Sequence, residues 1–345
     1  MSTLKPIINP IVLSTTFVQK TPGQMGYSRV DNPTRLGLEQ ELADLEGAKH
    51  ALAFSSGSSV LAAVFALLHS GDTILCHREV YEGTVRMLHT IFNRFGIKTI
   101  VSDLRSSQSL TFPKGTKMIM CEIVSNPTLS VIDLGLVTKA TKKQNAIIVI
   151  DNTMATPFFS RPLEKGTDIV VHSLSKFISG HHDVTAGALM TNNTELFKKL
   201  RSIQTTLGLS LSPADSFLVS RGIRTFDIRM KKHSENAVVV SKFLKRHPLV
   251  EKISFPGISG MVSFWVKGNK QETVRVLKAL RHIRIAHSFG GTETTVLHPR
   301  SMMTWSISPR KLDKQGITEN LVRMSIGLED TDKIIKDLMA ALKKL

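Results

Sequence analysis

The stretches AIIVIDNT (residues 146–153) and IVVHSLSKFISGHHD (residues 169–183) decide the fold of this chain. In both, a short continuous apolar run ends directly in polar side chains. Asp151 follows the first run, and Ser173 begins the polar part of the second. Apolar runs of about four to eight residues are typical of strands buried on both faces, as in parallel sheets covered by helices. We therefore expect a buried parallel sheet whose carboxyl edge carries these polar groups.

Strand and helix patterns alternate on both sides of these stretches. The expected strands cover residues 50–54, 72–77, 97–102, 117–124, 146–150 and 168–172, and the expected helices cover 57–69, 81–95 and 133–144. An earlier helix begins after the N-cap Asn32, with Pro33 in its first turn, and ends at Gly47. This alternation predicts an α/β fold, with a mostly parallel sheet and helices on both faces.

The pattern changes after about residue 222. Helices over 227–247 and 270–281, strands over 251–255 and 261–266, and a closing helix from Asp330 predict a smaller α+β layer. The first thirty or so residues have no lasting period and contain several prolines and glycines, which indicates an extended arm. We therefore expect an arm (1–31), a large domain (32–222) and a smaller C-terminal domain (223–345).

Length and composition exclude several classes of protein. A chain of 345 residues with 41% hydrophobic residues can bury a large core, so it is neither disordered nor a small disulfide-stapled fold. No apolar run reaches the roughly 18 residues that a membrane span needs. The net charge is +17, but the basic residues are spread in short groups without a nucleic-acid-binding motif. We interpret the charge as a basic solvated surface, with nucleic-acid binding as the alternative.

The two cysteines indicate the compartment. Cys76 and Cys121 lie in apolar runs and lack Cys-x-x-Cys spacing, so we expect buried, reduced thiols. The start of the chain lacks the basic, apolar and small-residue order of a secretory signal. The sequence therefore predicts a cytoplasmic protein.

Four features at the strand ends together point to a chemistry. The turn SSGSS (55–59) opens a helix and can bind an anion, Asp151 supplies a carboxylate, Lys176 supplies an amine, and Tyr81 supplies a flat ring. Each alone has an ordinary interpretation, such as a helix cap or a solvated lysine. Pyridoxal phosphate needs this set together: an amine to bind it covalently, a carboxylate for its ring nitrogen, a phosphate site and an aromatic group to stack on it.

Over nearly its whole length, the chain also resembles the pyridoxal-phosphate-dependent enzymes of Cys/Met metabolism. These include the cystathionine γ-lyases, β-lyases and γ-synthases, the methionine γ-lyases and the sulfhydrylases. The resemblance is carried by the motifs YSRVDNPTR (27–35), SSGSS (55–59), EVYEGT (79–84), SNPT (125–128), IDNT (150–153), HSLSKFISGHHD (172–183), SFGGTE (288–293) and LVRMSIGLED (321–330). It implies fold type I, the aspartate-aminotransferase-like fold, with pyridoxal 5'-phosphate bound in the large domain.

The resemblance also implies a role for each matching residue around the cofactor. Lys176 would bind the cofactor covalently and act as the catalytic base, Tyr81 would stack on its ring, Asp151 would pair with its ring nitrogen, and Asn126 would bond its phenolic oxygen. The residues that would hold the phosphate are Gly57, Ser58, Ser173 and Ser175.

Further roles implied by the resemblance concern the substrate and the assembly. Arg323 would bind the substrate carboxylate, with Ser288 beside it. Tyr27 and Arg29 would reach the phosphate of the neighbouring subunit's cofactor. The arm would then complete a partner's site, in a homodimer that assembles further into a homotetramer.

The sequence departs from the family's pattern near the substrate. Gly26 and His287 stand where relatives that act on cystathionine often carry glutamates, and Gly83 replaces the cysteine of methionine γ-lyases. The loop over 255–261 is shorter than in the family and lacks its Ser-His-Pro segment. The adjacent histidines His181 and His182 have no third ligand nearby, so we expect no metal.

The expected activity is cleavage of the carbon–sulfur bond of cystathionine or a similar amino-acid thioether. β-Elimination, γ-elimination and γ-replacement on an activated homoserine use the same residues, so all three stay open, as does methionine γ-lyase activity. A non-catalytic scaffold of the same fold is a further alternative. The joint presence of Lys176, Asp151, Tyr81 and Arg323 argues against it.

Overall fold

The computed structural model describes residues 6–23, 26–105, 112–113, 115–141, 144–303 and 309–345. A seven-stranded sheet forms the centre of the first two-thirds of the chain. Its strands are β1 (His50–Phe54), β2 (Thr73–His77), β3 (Lys98–Ser102), β4 (Thr116–Glu122), β5 (Ile147–Asp151), β6 (Ile169–Ser173) and β7 (Gly187–Thr191). Their order is β1-β7-β6-β5-β4-β2-β3. β7 runs antiparallel to both of its neighbours, and all the other pairs are parallel. The prediction of a mostly parallel sheet is confirmed.

Helices cover both faces of this sheet. They are α1 (Pro33–Glu46), α2 (Gly57–Phe65), α3 (Glu82–Thr90), α4 (Leu134–Thr141), α5 (Thr156–Phe159), α6 (Thr194–Thr206) and α7 (Pro213–Ile223). Neighbouring residues in a strand point to opposite faces, so Ile150 and Val170 belong to one buried cluster while Val149 and Val171 belong to the other. The continuous apolar runs therefore follow from burial on both faces.

Polar caps define where the helices near the site begin. The Asn32 side chain accepts hydrogen bonds from the backbone N–H groups of Thr34 and Arg35, and α1 ends at Gly47 with a φ of 70°. Ser56 forms a reciprocal capping box with Ser59 at the start of α2. These caps fix the positions of the loops that lead from the strands to the site.

Several element boundaries differ from the expected ones. The helix expected over 57–69 ends at Phe65, and the helix expected over 81–95 is interrupted after Thr90 and continues as a 3-10 helix over Phe92–Phe95. The helix expected over 133–144 is described only to Thr141, because residues 142–143 lie outside the described part of the chain. β7, α6 and α7 carry no expectation from the sequence pattern.

A second sheet of five strands forms the C-terminal part. Its strands are β8 (Val250–Ser254), β9 (Met261–Val266), β10 (Arg284–Ile285), β11 (Thr295–Leu297) and β12 (Leu321–Ser325), in the order β10-β11-β12-β9-β8. The helices of this part are α8 (Phe226–Arg246), α9 (Lys270–Ala279), α10 (Pro299–Met302), α11 (Pro309–Lys314) and α12 (Thr331–Leu342). This matches the expected α+β layer, although the exact domain boundaries stay a prediction.

Two expectations from composition can be compared with the fold. Cys76 and Cys121 are both free and buried, as expected, and burial raises the pKa of the Cys121 thiol to about 12. Among the described residues, no helix is long and apolar enough to cross a bilayer.

Candidate active site

A cavity of about 820 Å³ opens at the carboxyl ends of β4, β5 and β6 and is closed on its other side by residues of the second sheet. Most of the site residues expected from the sequence line this single cavity: Gly57, Ser58, Tyr81, Asn126, Asp151, Ser173, Ser175, Lys176, Ser288 and Arg323. They come from distant parts of the chain. The fold therefore brings together groups that the sequence places more than 250 residues apart.

Lys176 lies in the turn that follows β6. Its Nζ atom donates a hydrogen bond to Ser288 Oγ at 2.8 Å. Burial, and then the positive charge of Arg323, lower the pKa of the Lys176 amine to about 8. A much larger fraction of this amine than of an ordinary lysine is therefore neutral near physiological pH, and the neutral form is the one that acts as a nucleophile or base.

A buried arginine supports the turn that carries Lys176. The Arg229 guanidinium donates hydrogen bonds to the carbonyl oxygens of Phe177 and Ile178, at 2.6 and 2.9 Å. Burial lowers its pKa to about 10, so it remains charged at neutral pH. These bonds fix the backbone directly after the lysine.

Asp151 is the last residue of β5 and lies at the floor of the cavity. Its Oδ1 atom accepts a hydrogen bond from the Thr153 backbone N–H at 2.9 Å. Burial is the main cause that raises the pKa of this carboxyl. A cationic group brought next to Asp151 would reverse that effect and stabilise the carboxylate.

The start of α2 forms the end of the cavity that is suited to a phosphate. Gly57 and Ser58 are the first two residues of this helix, where backbone N–H groups lack helical partners. A Cβ atom on Gly57 would lie 3.2 Å from Ser173 Cβ, so the glycine allows α2 to pack closely on the end of β6. The Ser175 hydroxyl exchanges hydrogen bonds with the backbone of Ala186.

Arg323 occupies the wall that the second sheet contributes. It lies in β12 and donates to Asn126 Oδ1 at 2.7 Å and to the Ser288 carbonyl oxygen at 2.6 Å. No atom of the described residues accepts a hydrogen bond from its buried Nε, and burial lowers the pKa of the guanidinium to about 9. A buried N–H of this kind is costly unless a further acceptor binds, and a substrate carboxylate is such an acceptor.

Tyr81 lies just before α3 at the mouth of the cavity, with 43% of its surface exposed. Its backbone N–H donates to Glu122 Oε1 at 2.5 Å. Its ring lies against Gly83, where a Cβ atom would come within 2.8 Å of Tyr81 Cζ. The ring therefore packs directly on the first turn of α3.

Tyr27 and Arg29 are not among the residues that line the cavity of this single chain. Tyr27 is 46% exposed, and Arg29 donates a hydrogen bond to the carbonyl oxygen of Thr205. The Arg29 guanidinium also lies 5.6 Å from the centre of the Tyr27 ring. Their expected role in a neighbouring subunit's site stays a prediction.

Sequence reasoning missed several lining residues. Glu122 ends β4 directly beside Asp151. The Thr153 hydroxyl accepts a hydrogen bond from the Ser173 backbone N–H at 2.8 Å. The centre of the Phe289 ring lies 5.3 Å from Lys176 Nζ and 5.3 Å from the Arg323 guanidinium carbon. The acidic residue within the apolar run of β4 was the available signal for Glu122. Nothing in the sequence pattern marked Phe289.

The residues present fit pyridoxal phosphate. An amine with a lowered pKa, a buried carboxyl and the free N–H groups at the start of a helix border one cavity, as this cofactor requires. The Nε of Arg323, which finds no acceptor among the described residues, leaves a place for a carboxylate in the same cavity. The donor set therefore matches the cofactor together with an amino-acid substrate.

Comparison with known proteins gives an independent result. The family model described as "Cys/Met metabolism PLP-dependent enzyme" matches residues 2–343. A putative cystathionine γ-lyase 2 of Caenorhabditis elegans is 40% identical, over 99% of this chain and 93% of its own. A cystathionine β-lyase of Coxiella burnetii is 36% identical, over 97% and 93%. The crystal structure of a cystathionine γ-synthase from Xanthomonas oryzae, in complex with cystathionine, superposes with a TM-score of 0.94 at 34% identity, covering 97% of this chain and 92% of that one.

Proposed function

The chain belongs to the Cys/Met metabolism family of pyridoxal-phosphate-dependent enzymes, and we propose that it is a carbon–sulfur lyase that cleaves cystathionine or a similar amino-acid thioether. The observation that carries the proposal is the single cavity in which Lys176, Asp151 and Arg323 meet. The similarity to lyases of cystathionine supports the same substrate class.

Substrate binding follows from the arrangement around Arg323. The guanidinium already holds Asn126 and the Ser288 carbonyl, and its Nε–H, which has no acceptor in the described part of the chain, is proposed to bind one oxygen of the substrate's α-carboxylate. This charge-assisted hydrogen bond holds one carboxylate oxygen, and the rigid guanidinium plane sets its direction. The α-carbon of the substrate is thereby held on the side of the cavity where Lys176 lies.

Lys176 moves the protons of the reaction. Pyridoxal phosphate, when bound, supplies an electron sink for the negative charge that forms at the substrate α-carbon. The Lys176 amine, with a pKa of about 8, takes the proton from that carbon, and the Ser288 hydroxyl at 2.8 Å holds the amine in place. With the cofactor bound, Asp151 would stabilise positive charge on the ring nitrogen, and Tyr81 would stack on the ring.

The same residues serve two possible bond cleavages. β-Elimination needs removal of the α-proton and releases a thiol at once. γ-Elimination needs a second proton to be removed from the β-carbon, for which Lys176 is again the base. His287 lines the cavity while Gly26 packs against the Gln19 side chain, so neither position supplies an acidic group for a distal ammonium. γ-Replacement stays a second candidate because a cystathionine γ-synthase superposes on the chain.

We propose that the active protein is at least a homodimer with shared active sites and that it forms a tetramer. The arm supports this proposal, because Ile7 is 99% exposed, Val18 is 98% exposed and Leu13 is 71% exposed in the single chain. Apolar side chains with such exposure are typical of surfaces that another chain covers. A cytoplasmic location is part of the same proposal and agrees with the free thiols of Cys76 and Cys121.

Product identification tests the function directly. The protein loaded with pyridoxal phosphate is incubated with cystathionine, and the thiol and 2-oxo acid are identified. β-Elimination yields homocysteine, pyruvate and ammonia, whereas γ-elimination yields cysteine, 2-oxobutanoate and ammonia. Lys176→Ala should abolish both, and Lys165→Ala, which changes an exposed lysine at the end of a 3-10 helix, should abolish neither. Absence of any thiol above the Lys176→Ala level would refute the lyase proposal, and cystathionine formation from cysteine and an acylated homoserine would favour γ-replacement.

A further inference from the structure

We propose that Glu122 is a positioning residue that holds Tyr81 over the cofactor. This inference rests on the proposed function, because it assumes that Tyr81 stacks on pyridoxal phosphate. Glu122 is the last residue of β4 and lines the cavity, yet it makes none of the contacts that the proposed reaction requires. A buried acidic side chain at this place needs an explanation, because carboxyl groups are rarely buried without a function or a partner.

The hydrogen bond to Tyr81 gives the first part of the explanation. Glu122 Oε1 accepts the Tyr81 backbone N–H at 2.5 Å, across 41 positions of the sequence. Tyr81 is the N-cap of α3, and its own side chain makes no capping hydrogen bond. Glu122 therefore anchors the start of α3 to the sheet, at the residue whose ring faces the cavity.

The ring of Tyr81 depends on where its backbone is held. It packs against Gly83 so closely that a Cβ atom there would lie 2.8 Å from Cζ and 3.0 Å from Cδ1. Since 43% of Tyr81 is exposed, the described residues restrain the ring little beyond this contact. A shift of the backbone at residue 81 would therefore move the ring relative to the cofactor.

The position of Glu122 beside Asp151 gives the second part. The two residues are paired in register on neighbouring parallel strands, so their side chains leave the same face of the sheet, about 5 Å apart. Burial, and then the charge of Asp151, raise the pKa of Glu122 well above its usual value. Both effects shift Glu122 toward its neutral form, and a neutral carboxyl can still accept the Tyr81 N–H through its carbonyl oxygen.

A neutral acceptor makes a specific prediction for substitutions. Glutamine presents the same carbonyl oxygen at the same distance from the backbone, whereas leucine has a similar volume and no acceptor. We therefore expect Glu122→Gln to keep the position of Tyr81 and Glu122→Leu to lose it. If Glu122→Leu does not fold, Glu122→Met replaces it, because the flexible methionine side chain fills irregular spaces.

The experiment measures the dissociation constant of pyridoxal phosphate for the apoenzyme, by titration followed through absorbance and protein fluorescence. Glu122→Leu should bind the cofactor about tenfold more weakly or worse, while Glu122→Gln should stay within about threefold of the wild type. The matched control is Asp168→Asn: Asp168 also accepts a backbone N–H of this sheet, from Ile148 at 2.8 Å, but at the opposite end of the strands. It should leave the affinity unchanged, and thermal unfolding of each apoenzyme reports whether the fold is intact.

A double-mutant cycle separates positioning from other effects. Tyr81→Leu should itself weaken cofactor binding, and adding Glu122→Leu to it should weaken binding no further, because the residue that Glu122 positions is gone. If Tyr81→Leu has no effect on affinity, the proposed role of Tyr81 fails. Two other outcomes refute only the positioning role of Glu122. In the first, Tyr81→Leu weakens cofactor binding but Glu122→Leu does not. In the second, Glu122→Gln weakens cofactor binding as much as Glu122→Leu does.

Discussion

Substituting Gly83 by alanine should separate the stability of this protein from its activity. Gly83 is the second residue of α3, and its backbone needs no left-handed conformation. Alanine is the better helix former by about 1 kcal/mol, so the substitution by itself favours the folded helix. The obstacle is the Tyr81 ring, which occupies the space that the new methyl group would enter.

The size of the displacement follows from the distances. The added Cβ would lie 2.8 Å from Tyr81 Cζ and 3.0 Å from Cδ1, and closer still to Cε1. Ordinary carbon contacts need about 3.5 Å, so the nearest ring atom, Cε1, has to move by roughly 1 Å or more. Because a misplacement of about 1 Å in an active site can cost about 10²-fold, we expect kcat/KM for the thioether to fall by about 10- to 100-fold.

The assay combines thiol release with cofactor titration and thermal unfolding. Gly83→Ala should have an unfolding midpoint equal to or above that of the wild-type apoenzyme, together with weaker cofactor binding and the lower kcat/KM. Gly135→Ala is the matched control, because a Cβ there meets only Asp133 Oδ1, at 3.1 Å, near the start of another helix. It should change neither activity nor cofactor affinity.

Two results would refute this reasoning. If Gly83→Ala kept kcat/KM and cofactor affinity within about twofold of the wild type, the position of the Tyr81 ring would not matter for the reaction. If the unfolding midpoint fell sharply, the loss of activity would be a loss of structure.

Three further predictions concern the other groups of the site. Asp151→Asn should lower kcat/KM by at least about 10²-fold, measured as thiol release, because a neutral amide cannot stabilise positive charge on the ring nitrogen; a loss below about threefold contradicts this role. The rate at which pyridoxal phosphate attaches covalently to the apoenzyme should rise as pH increases through about 8, because the Lys176 amine is protonated below its pKa and nucleophilic above it. Stopped-flow absorbance measures this rate, and equal rates on both sides of that pH would contradict the prediction. Mixing the inactive variants Arg29→Ala and Lys176→Ala under conditions of subunit exchange should recover part of the activity, because one site of each mixed dimer then has both residues intact. No recovery, with mixed dimers demonstrated by mass, would place Arg29 outside the partner's site.

The sequence predicted the parts of the fold that depend on local pattern. Asn32, Pro33 and Gly47 bound the first helix as expected, because caps and left-handed turns are read from single residues. The strands β5 and β6 end where polar residues follow apolar runs, within one residue of the expected ends. β7 carried no such signal, because its five residues, GALMT, begin with a glycine and are too few to show a distinctive period.

The sequence pattern predicted the part of the site that lies at the strand ends of the first sheet. Asp151 ends β5 and Lys176 follows β6, which is parallel to β5 and next to it, so a sequence pattern is enough to bring them together. Arg323 and Ser288 reach the same cavity only through the packing of the second sheet, and the sequence suggested them through family resemblance alone. The predicted role of Tyr27 and Arg29 involves a second chain and rests on family resemblance alone.

The shifted pKa values of the site residues depend on burial in the folded chain, and no sequence pattern predicts them. Burial lowers the pKa values of Lys176 and Arg323 and raises that of Asp151, so each group is moved toward its neutral form by the same physical cause. Such desolvation costs folding free energy, and a bound group that carries charges complementary to both ends of the cavity offsets part of that cost. Binding of the cofactor should therefore increase the free energy of unfolding. The buried groups whose desolvation costs free energy, Lys176, Asp151 and Arg323, are the same groups that the proposed reaction uses.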